Sequence, residues 1–362
     1  ISNFRSLIGK KLKLMGVVKA NAYGHGILEI SELALKAGVD WLGIHSLGEG
    51  FLLRKQGFDC PLLILGYIPL EDLEEAVVNN FRITVYNLET VHRLARLCSR
   101  LKKRIYLHLK IETGTYRQGI REEDIFQFIK EIQRVPDFII EGLSSHFANI
   151  EDTTDHTYFR FQLENFIRII QKLRVNKIEI PLKHIACTAA TILFPETYFD
   201  MVRVGIGMYG LWPSKETYLS CILQKRKPLS LKPVLAWKAR IAQIKKVPKG
   251  AYLGYGCTYR TTRESNLAVI PVGYFDGYSR CLSNSSYVLI RGHRAPLRGR
   301  VCMDFILVDI TDIPGISLED EAVLLGCDGD EIISAEDLAV LAGTINYEIV
   351  TRINPLIPRI VV

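Results

Sequence analysis

Apolar residues in this chain recur with two periods, and the switching between them lays out the fold. From residue 12 to about 210, short β-type apolar runs alternate with longer stretches of helical periodicity, the pattern of βα units around a parallel sheet. Eight strands are predicted: Leu12 to Lys19, Trp41 to His45, Leu62 to Leu65, Ile83 to Tyr86, Ile105 to Ile111, Ile139 to His146, Lys183 to Cys187, and Met201 to Leu211. Helical periodicity between them covers Ile27 to Ala37, Leu70 to Asn79, Leu88 to Leu101, Glu122 to Arg134 and His156 to Arg174. Eight such repeats within roughly 200 residues point to an α/β fold of the (β/α)8 TIM-barrel type more than to an open doubly wound sheet.

Beyond Leu231 the rhythm changes. Runs such as Ala236 to Val247, Leu267 to Val272, Ser286 to Arg291, Phe305 to Ile310 and Ala322 to Leu325 are separated by turn residues, which predicts a mainly antiparallel β domain. The basic, proline-containing stretch Lys225 to Pro233 marks the boundary, giving an expected barrel over 1–228 and a β domain over 229–362.

The chain has 362 residues, 48% of them hydrophobic, enough to bury a large core across two domains. Charge interrupts every apolar stretch well short of the ~18 to 20 residues needed to cross a bilayer, so a soluble protein with no membrane partner is expected. No secretory leader opens the chain, which starts at Ile1, so a segment upstream is expected to be missing. Eight cysteines (60, 98, 187, 221, 257, 281, 302 and 327) show no CxxC or CxH spacing. That argues against a metal site, a redox motif or a disulfide framework, and for a reducing cytoplasm. The formal charge of +7 arises from 46 basic and 39 acidic residues. Its basic clusters, Lys10-Lys11, Arg100 to Arg104 and Lys225 to Lys227, lack interleaved aromatic residues, so no nucleic-acid partner is expected. A modest positive field suits small anionic ligands instead.

Candidate chemistry begins with Lys19, an ammonium closing the apolar run Leu12 to Val18. Lysine is seldom buried without a partner, and desolvation lowers its pKa, which makes it a usable nucleophile and base near neutral pH. The functional expectation is a Schiff-base lysine; a snorkelling strand-end lysine is the plain alternative. Barrel enzymes carry their sites at the C-terminal ends of the strands. There the sequence offers Arg117 after strand five, His146 at the end of strand six, Thr188 after strand seven, and Arg203 in strand eight before Gly205. Hydroxyl and glycine amides after strands seven and eight are where such barrels commonly hold a phosphate, so a phosphorylated cofactor fits.

The segments Val17 to Gly26 (VVKANAYGHG), Ser145 to Ala148 (SHFA), Met201 to Ile206 (MVRVGI), Gly254 to Tyr259 (GYGCTY), Gly273 to Tyr278 (GYFDGY) and Gly299 to Asp304 (GRVCMD), in this order, resemble the alanine racemase family of pyridoxal-phosphate enzymes over essentially the whole chain. The resemblance implies a homodimer with shared active sites acting on a small amino acid, most simply interconverting L- and D-alanine for peptidoglycan synthesis. Lys19 would bind pyridoxal 5'-phosphate, and Tyr255 of the partner subunit would face it in a two-base mechanism. Tyr23, Thr188 and the amides of Gly205 and Ile206 would hold the phosphate. Arg203 would approach the pyridine nitrogen, supported by His146. Arg117 would reach the cofactor phenolate and the substrate carboxylate, beside which Met303 would place a backbone amide. Glu151, Arg280 and Arg300 would line the substrate corridor, and Lys110 matches a position that many family members carry carbamylated.

Three departures from the family pattern matter. The family strand that precedes the lysine motif is missing, since only Ile1 to Leu14 lie upstream of Met15. Pro355 stands where a tyrosine is usual beside the phosphate and the substrate gate, and Thr115, Tyr116 and Gln118 replace smaller or apolar neighbours of Arg117. A serine or broad-specificity racemase is therefore the nearest alternative. A decarboxylase would want other motifs. A cofactor-carrying regulatory homologue would lack the β domain that bears Tyr255.

Overall fold

The computed structural model describes residues 1–362 and divides into two compact units, Ile1–Ala22 with Ile27–Lys232, and Tyr23–Gly26 with Pro233–Val362. In the first, strands β1 (Lys13–Val17), β2 (Trp41–Ile44), β3 (Leu62–Ile64), β4 (Arg82–Val85), β5 (Ile105–Lys110), β6 (Phe138–Ser144), β7 (Leu182–His184) and β8 (Met201–Val204) form one eight-stranded sheet. Every ladder in it is parallel, in the order β7-β6-β5-β4-β3-β2-β1-β8. The ring closes between β7 and β8 through two backbone bonds, Asp200 N to Lys183 O (3.0 Å) and Arg203 N to Ala186 O (3.1 Å). A plug of Met15, Trp41, Leu63 and Met201 fills the interior, as a barrel of this size requires.

Helices follow the strands because their apolar positions repeat every three to four residues, and a few of their first turns are capped. Leu88–Leu101 buries Val91, Leu94, Leu97 and Cys98 on one face, and the Asn87 side chain accepts from Thr90 N at its start. The structure departs from the sequence expectation at strand ends. β1 stops at Val17, two residues before Lys19, and β6 stops at Ser144, two before His146. β8 stops at Val204, because Gly205 (φ −104, ψ −102) turns the chain into a 3-10 turn over Ile206–Tyr209. The long helical pattern from Glu122 opens as a 3-10 turn, Glu122–Asp124, before the α-helix Ile125–Gln133.

The second unit is mainly antiparallel. It holds a three-stranded sheet of β10 (Gln243–Val247), β13 (Ser265–Ile270) and β16 (Ile306–Asp309), and a small pair, β11 (Tyr252–Leu253) with β12 (Tyr259–Arg260). A larger sheet joins β15 (His293–Pro296), β14 (Tyr287–Ile290), β17 (Glu321–Asp328), β18 (Glu331–Ile333) and β9 (Trp237–Arg240). The single run expected over Ala236 to Val247 is thus two strands. Ile241 N donates to Asp320 O and Ala242 N to Val269 O, so the chain changes sheets between those residues. Helices Ala335–Ala342 and Asn346–Thr351 follow.

The strap Tyr23–Gly26 belongs to this second unit. Gly24 (φ +82) admits no side chain, since a Cβ there would lie 1.8 Å from Val350 O. Its carbonyl accepts from Arg359 Nε (2.9 Å) and Nη2 (2.7 Å). No helix of either unit is long and apolar enough to cross a membrane.

Candidate active site

Lys19 opens a turn of the wrong hand. Ala20, Asn21, Ala22 and Tyr23 all have positive φ, between 52° and 54°. Each costs an L residue about 1–2 kcal/mol relative to the right-handed region, so the surroundings must enforce the conformation. They do so by hydrogen bonds. Glu49 accepts Ala20 N on Oε1 (2.7 Å), and His45 N (2.6 Å) and Ser46 N (3.3 Å) on Oε2. Asn21 Oδ1 accepts Ile27 N at 2.9 Å, and Ala22 N donates to Val18 O at 2.8 Å. Tyr209 Oη donates to Val17 O at 2.7 Å, which fixes the end of β1. Glu49 is also the third residue of a capping box with Ser46, so one carboxylate both starts the helix Leu47–Lys55 and pins the lysine turn.

Burial holds the Lys19 amine below its ordinary pKa, and the Arg117 charge adds to the effect; Glu49 opposes it, and Arg203 contributes in the same direction as Arg117. Lys110 at the end of β5 is pushed well down for the same reasons, burial first and then Arg203 and Arg117. Cations therefore crowd the strand ends.

Arg203 is buried in β8 and spans its neighbours. Nη1 donates to His184 Nδ1 (2.7 Å) and His184 O (3.2 Å), and Nη2 donates to Ser145 O (2.7 Å), Ile185 O (2.9 Å) and His146 Nδ1 (3.4 Å). Each of these partners is a neutral acceptor. Burial lowers its pKa to about 10, which leaves the guanidinium charged at neutral pH. Burial and the surrounding cations also push His146 and His184 well below the usual histidine value, so both rings are neutral.

Thr188 is buried at the start of the helix Thr188–Leu193, and its Oγ1 accepts Gly205 N at 3.1 Å. A Cβ on Gly207 would meet Thr188 Cγ2 and Phe4 Cζ at 2.6 Å, so only glycine lets the Ile206–Tyr209 turn close against the Thr188 methyl. Arg117 stands exposed on the loop after β5. Its loop is ordered by Glu112 Oε1, which accepts Gly114 N and Thr115 N (2.6 and 2.7 Å), and by Thr115 Oγ1 donating to His146 O (2.7 Å).

Of the residues expected from sequence, the first unit thus gathers Lys19, Arg117, His146, Thr188, Arg203, Gly205 and Ile206 at the C-terminal strand ends. Tyr23, Tyr255 and Met303 belong to the second unit. Tyr23 is buried there with its ring 6.0 Å from that of Tyr347. Tyr255 and Met303 are exposed, at 69% and 53%. Their loops are tied together: a Cβ on Gly256 would touch the Arg300 guanidinium at 2.7 Å, and Phe275 N donates to Met303 O at 3.0 Å. Pro355 is exposed on a turn held by Asn354, whose N donates to Asp276 O (3.0 Å) and whose Nδ2 donates to Phe275 O (3.1 Å).

Sequence reasoning passed over Glu49, although Ser46-Leu47-Gly48-Glu49 is a legible capping box. It also passed over His108 and His184, whose inward position on alternating strand residues was the available signal.

The first unit is thus a closed parallel barrel with a depressed amine and a buried guanidinium at its strand ends, and the second an antiparallel unit bearing exposed aromatic loops. Family models for the alanine racemase N-terminal and C-terminal domains match residues 1–213 and 234–361. An alanine racemase of Halothermothrix orenii is 41% identical over 355 residues, 98% of this chain and 91% of that protein. One from Methanococcus maripaludis is 38% identical over 361 residues, 99% and 94% of the two chains. Among solved structures, alanine racemase from Bacillus anthracis with bound L-Ala-P superposes with a TM-score of 0.90 at 35% identity, covering 98% of this chain and 89% of that one. The chain belongs to the alanine racemase family, and its activity class is isomerase.

Proposed function

We propose that the chain interconverts L- and D-alanine with pyridoxal 5'-phosphate, as a homodimer in which Lys19 and Tyr255 of the partner subunit are the two bases, supplying D-alanine for peptidoglycan. The observation that carries this reading is the Lys19 amine, depressed by burial and by Arg117 on a turn of forced hand. The donor set fits the cofactor: a buried guanidinium whose contacts are all neutral acceptors, a buried threonine hydroxyl, and a glycine turn that a Cβ would close. When bound, the cofactor supplies an electron-withdrawing ring conjugated with the substrate amine, which acidifies the Cα proton.

The residues then have separate tasks. Lys19 Nζ, which gives up its proton more readily than an ordinary lysine, would hold the cofactor and would take or return the substrate proton on one face. Tyr255 Oη does the converse on the other. Arg203 presents a donor that does not give up its proton at neutral pH, which keeps the pyridine nitrogen unprotonated. Thr188 and the amides of Gly205 and Ile206 would receive the phosphate, as would Tyr23. Arg117 and the Met303 amide orient the carboxylate. The exposed side chains Tyr255, Tyr274, Phe275, Met303 and Phe305 form the apolar loop surface that a second subunit would cover. Eight free thiols fit a reducing cytoplasm.

A chiral assay over a panel of L-amino acids with added cofactor tests the reading; D-alanine production should dominate. Serine conversion equal to or faster than alanine conversion would favour the broad-specificity reading, which the exposed, hydroxyl-free Pro355 turn supports. Borohydride reduction followed by peptide mapping should label Lys19, and a label on any other lysine would remove it from the chemistry.

A further inference from the structure

Arg203 is a buried cation with no carboxylate in contact, yet a carboxylate is joined to it through two rings. Its Nη1 lies 2.7 Å from His184 Nδ1, His184 Nε2 lies 2.9 Å from His108 Nδ1, and His108 Nε2 lies 3.2 Å from Glu141 Oε2. Arg82 Nε donates to that same oxygen at 3.3 Å, and its guanidinium is stacked over the Tyr106 ring at 4.6 Å. The path touches β4, β5, β6, β7 and β8, five consecutive strands of the barrel.

Only one arrangement of protons satisfies it. Arginine solely donates, so His184 Nδ1 must accept and the ring carries its proton on Nε2. That proton points at His108 Nδ1, which must accept, leaving the His108 proton on Nε2 to be given to the carboxylate. A second proton on either ring would set donor against donor, and burial already disfavours it. Every bond therefore donates in one direction, from cation to anion.

The sequence builds this path with a local irregularity. In the β5–β6 ladder Leu107 faces Ile140 and His108 faces Gly142, so Glu141 is an extra residue, a β-bulge. Bulges re-aim side chains, and this one turns Glu141 toward His108. A Cβ on Gly142 would lie 2.1 Å from His108 Nδ1, so the glycine makes room for the ring. Glu141 keeps 17% of its side chain exposed while His108 and His184 have none, which places the anion at the wet end of a dry path.

We propose that Glu141 is a positioning residue for the reaction: through His108 and His184 it fixes the orientation of the Arg203 guanidinium. This rests on the proposed function only in that Arg203 serves the cofactor. Long-range 1H–15N correlation on histidine-labelled, cofactor-loaded protein reads each ring directly. His108 and His184 should both carry their proton on Nε2 with a bare Nδ1; a proton on Nδ1 of either ring overturns the proposal. Glu141→Gln keeps the volume and an acceptor but removes the charge. It should move the His184 nitrogen signals two rings away and lower kcat for alanine about tenfold or more with KM little changed, as loss of an outer orienting group does. Unmoved His184 signals with unaltered kcat would equally overturn it. The predicted ring protons in a wild-type protein that racemises nothing would support the path while sinking the proposed function.

Discussion

Ala20→Gly and Ala22→Gly together measure what the lysine turn costs. Both alanines are left-handed, with φ 54° and 52°. Returning such a residue to glycine removes about 1–2 kcal/mol of steric strain, because glycine tolerates this region. Against that, glycine's greater freedom in the unfolded chain costs about 0.5–1 kcal/mol. Ala20 is exposed, so these two terms decide its sign, and Ala20→Gly should stabilise the protein by up to about 1.5 kcal/mol. Ala22 is fully buried at 0% exposure, and losing its methyl subtracts about 0.8 kcal/mol more, which brings that variant to within about 0.8 kcal/mol of wild type in either direction. Calorimetry on the cofactor-free protein should then find Ala20→Gly melting a few degrees above Ala22→Gly, since about 1 kcal/mol corresponds to roughly 2–4 °C in a domain of this size. Racemase activity should move the other way, because the freed backbone no longer aims Lys19. An Ala20→Gly variant that melts below wild type would show that the turn carries no strain, and the role given to Glu49 would fall with it.

In cofactor-free protein with 13C-labelled lysine, Lys19 should lose its proton below the ordinary 10.5, and Arg117→Ala should raise its midpoint because a neighbouring cation is gone. The folded state binds that proton less tightly than the unfolded chain, so this residue's contribution to stability should rise with pH through the interval up to 10.5; a Lys19 titrating with the surface lysines would contradict its burial. Arg203→Lys keeps the charge but loses the fork that spans Ser145, His184 and Ile185, and should reduce kcat/KM for alanine at least about tenfold with unchanged far-UV circular dichroism. Mixing inactive Lys19→Ala and Tyr255→Phe chains should restore activity through hybrid dimers, and none despite proven subunit exchange would count against a shared site. Pro355→Tyr should shift preference from serine toward alanine by roughly tenfold to a hundredfold; a level or opposite ratio of kcat/KM would take Pro355 away from the gate.

The barrel was legible because its two periods are local: Leu88–Leu101 appears in the structure with the bounds its apolar spacing predicts. Strand ends were not, because Ala20 and Ala22 carry no mark of a left-handed backbone; that conformation is imposed by Glu49, far along the chain. The change of sheet between Ile241 and Ala242 was hidden for a similar reason, since each amide's partner lies in a different strand. The two late helices had signals that went unread: Ser334 and Asp337 make a capping box, and Gly343 (φ 69) closes the first helix. Lys19, Arg203 and Thr188 stand out as candidates through motif and strand position. Glu141 does not, because a bulge is a relation between two strands and leaves no trace in either one alone.

The strap that carries Gly24 ties the beginning of the chain to its end. Its carbonyl waits for Arg359, which follows 335 residues later in synthesis. At ribosomal speeds of ~5–20 residues per second, roughly 15 to 70 seconds separate the two. The first unit therefore emerges through Lys232 while the strap Tyr23–Gly26 still lacks its partner. The strap of a nascent chain is thus left unfastened until Arg359 emerges.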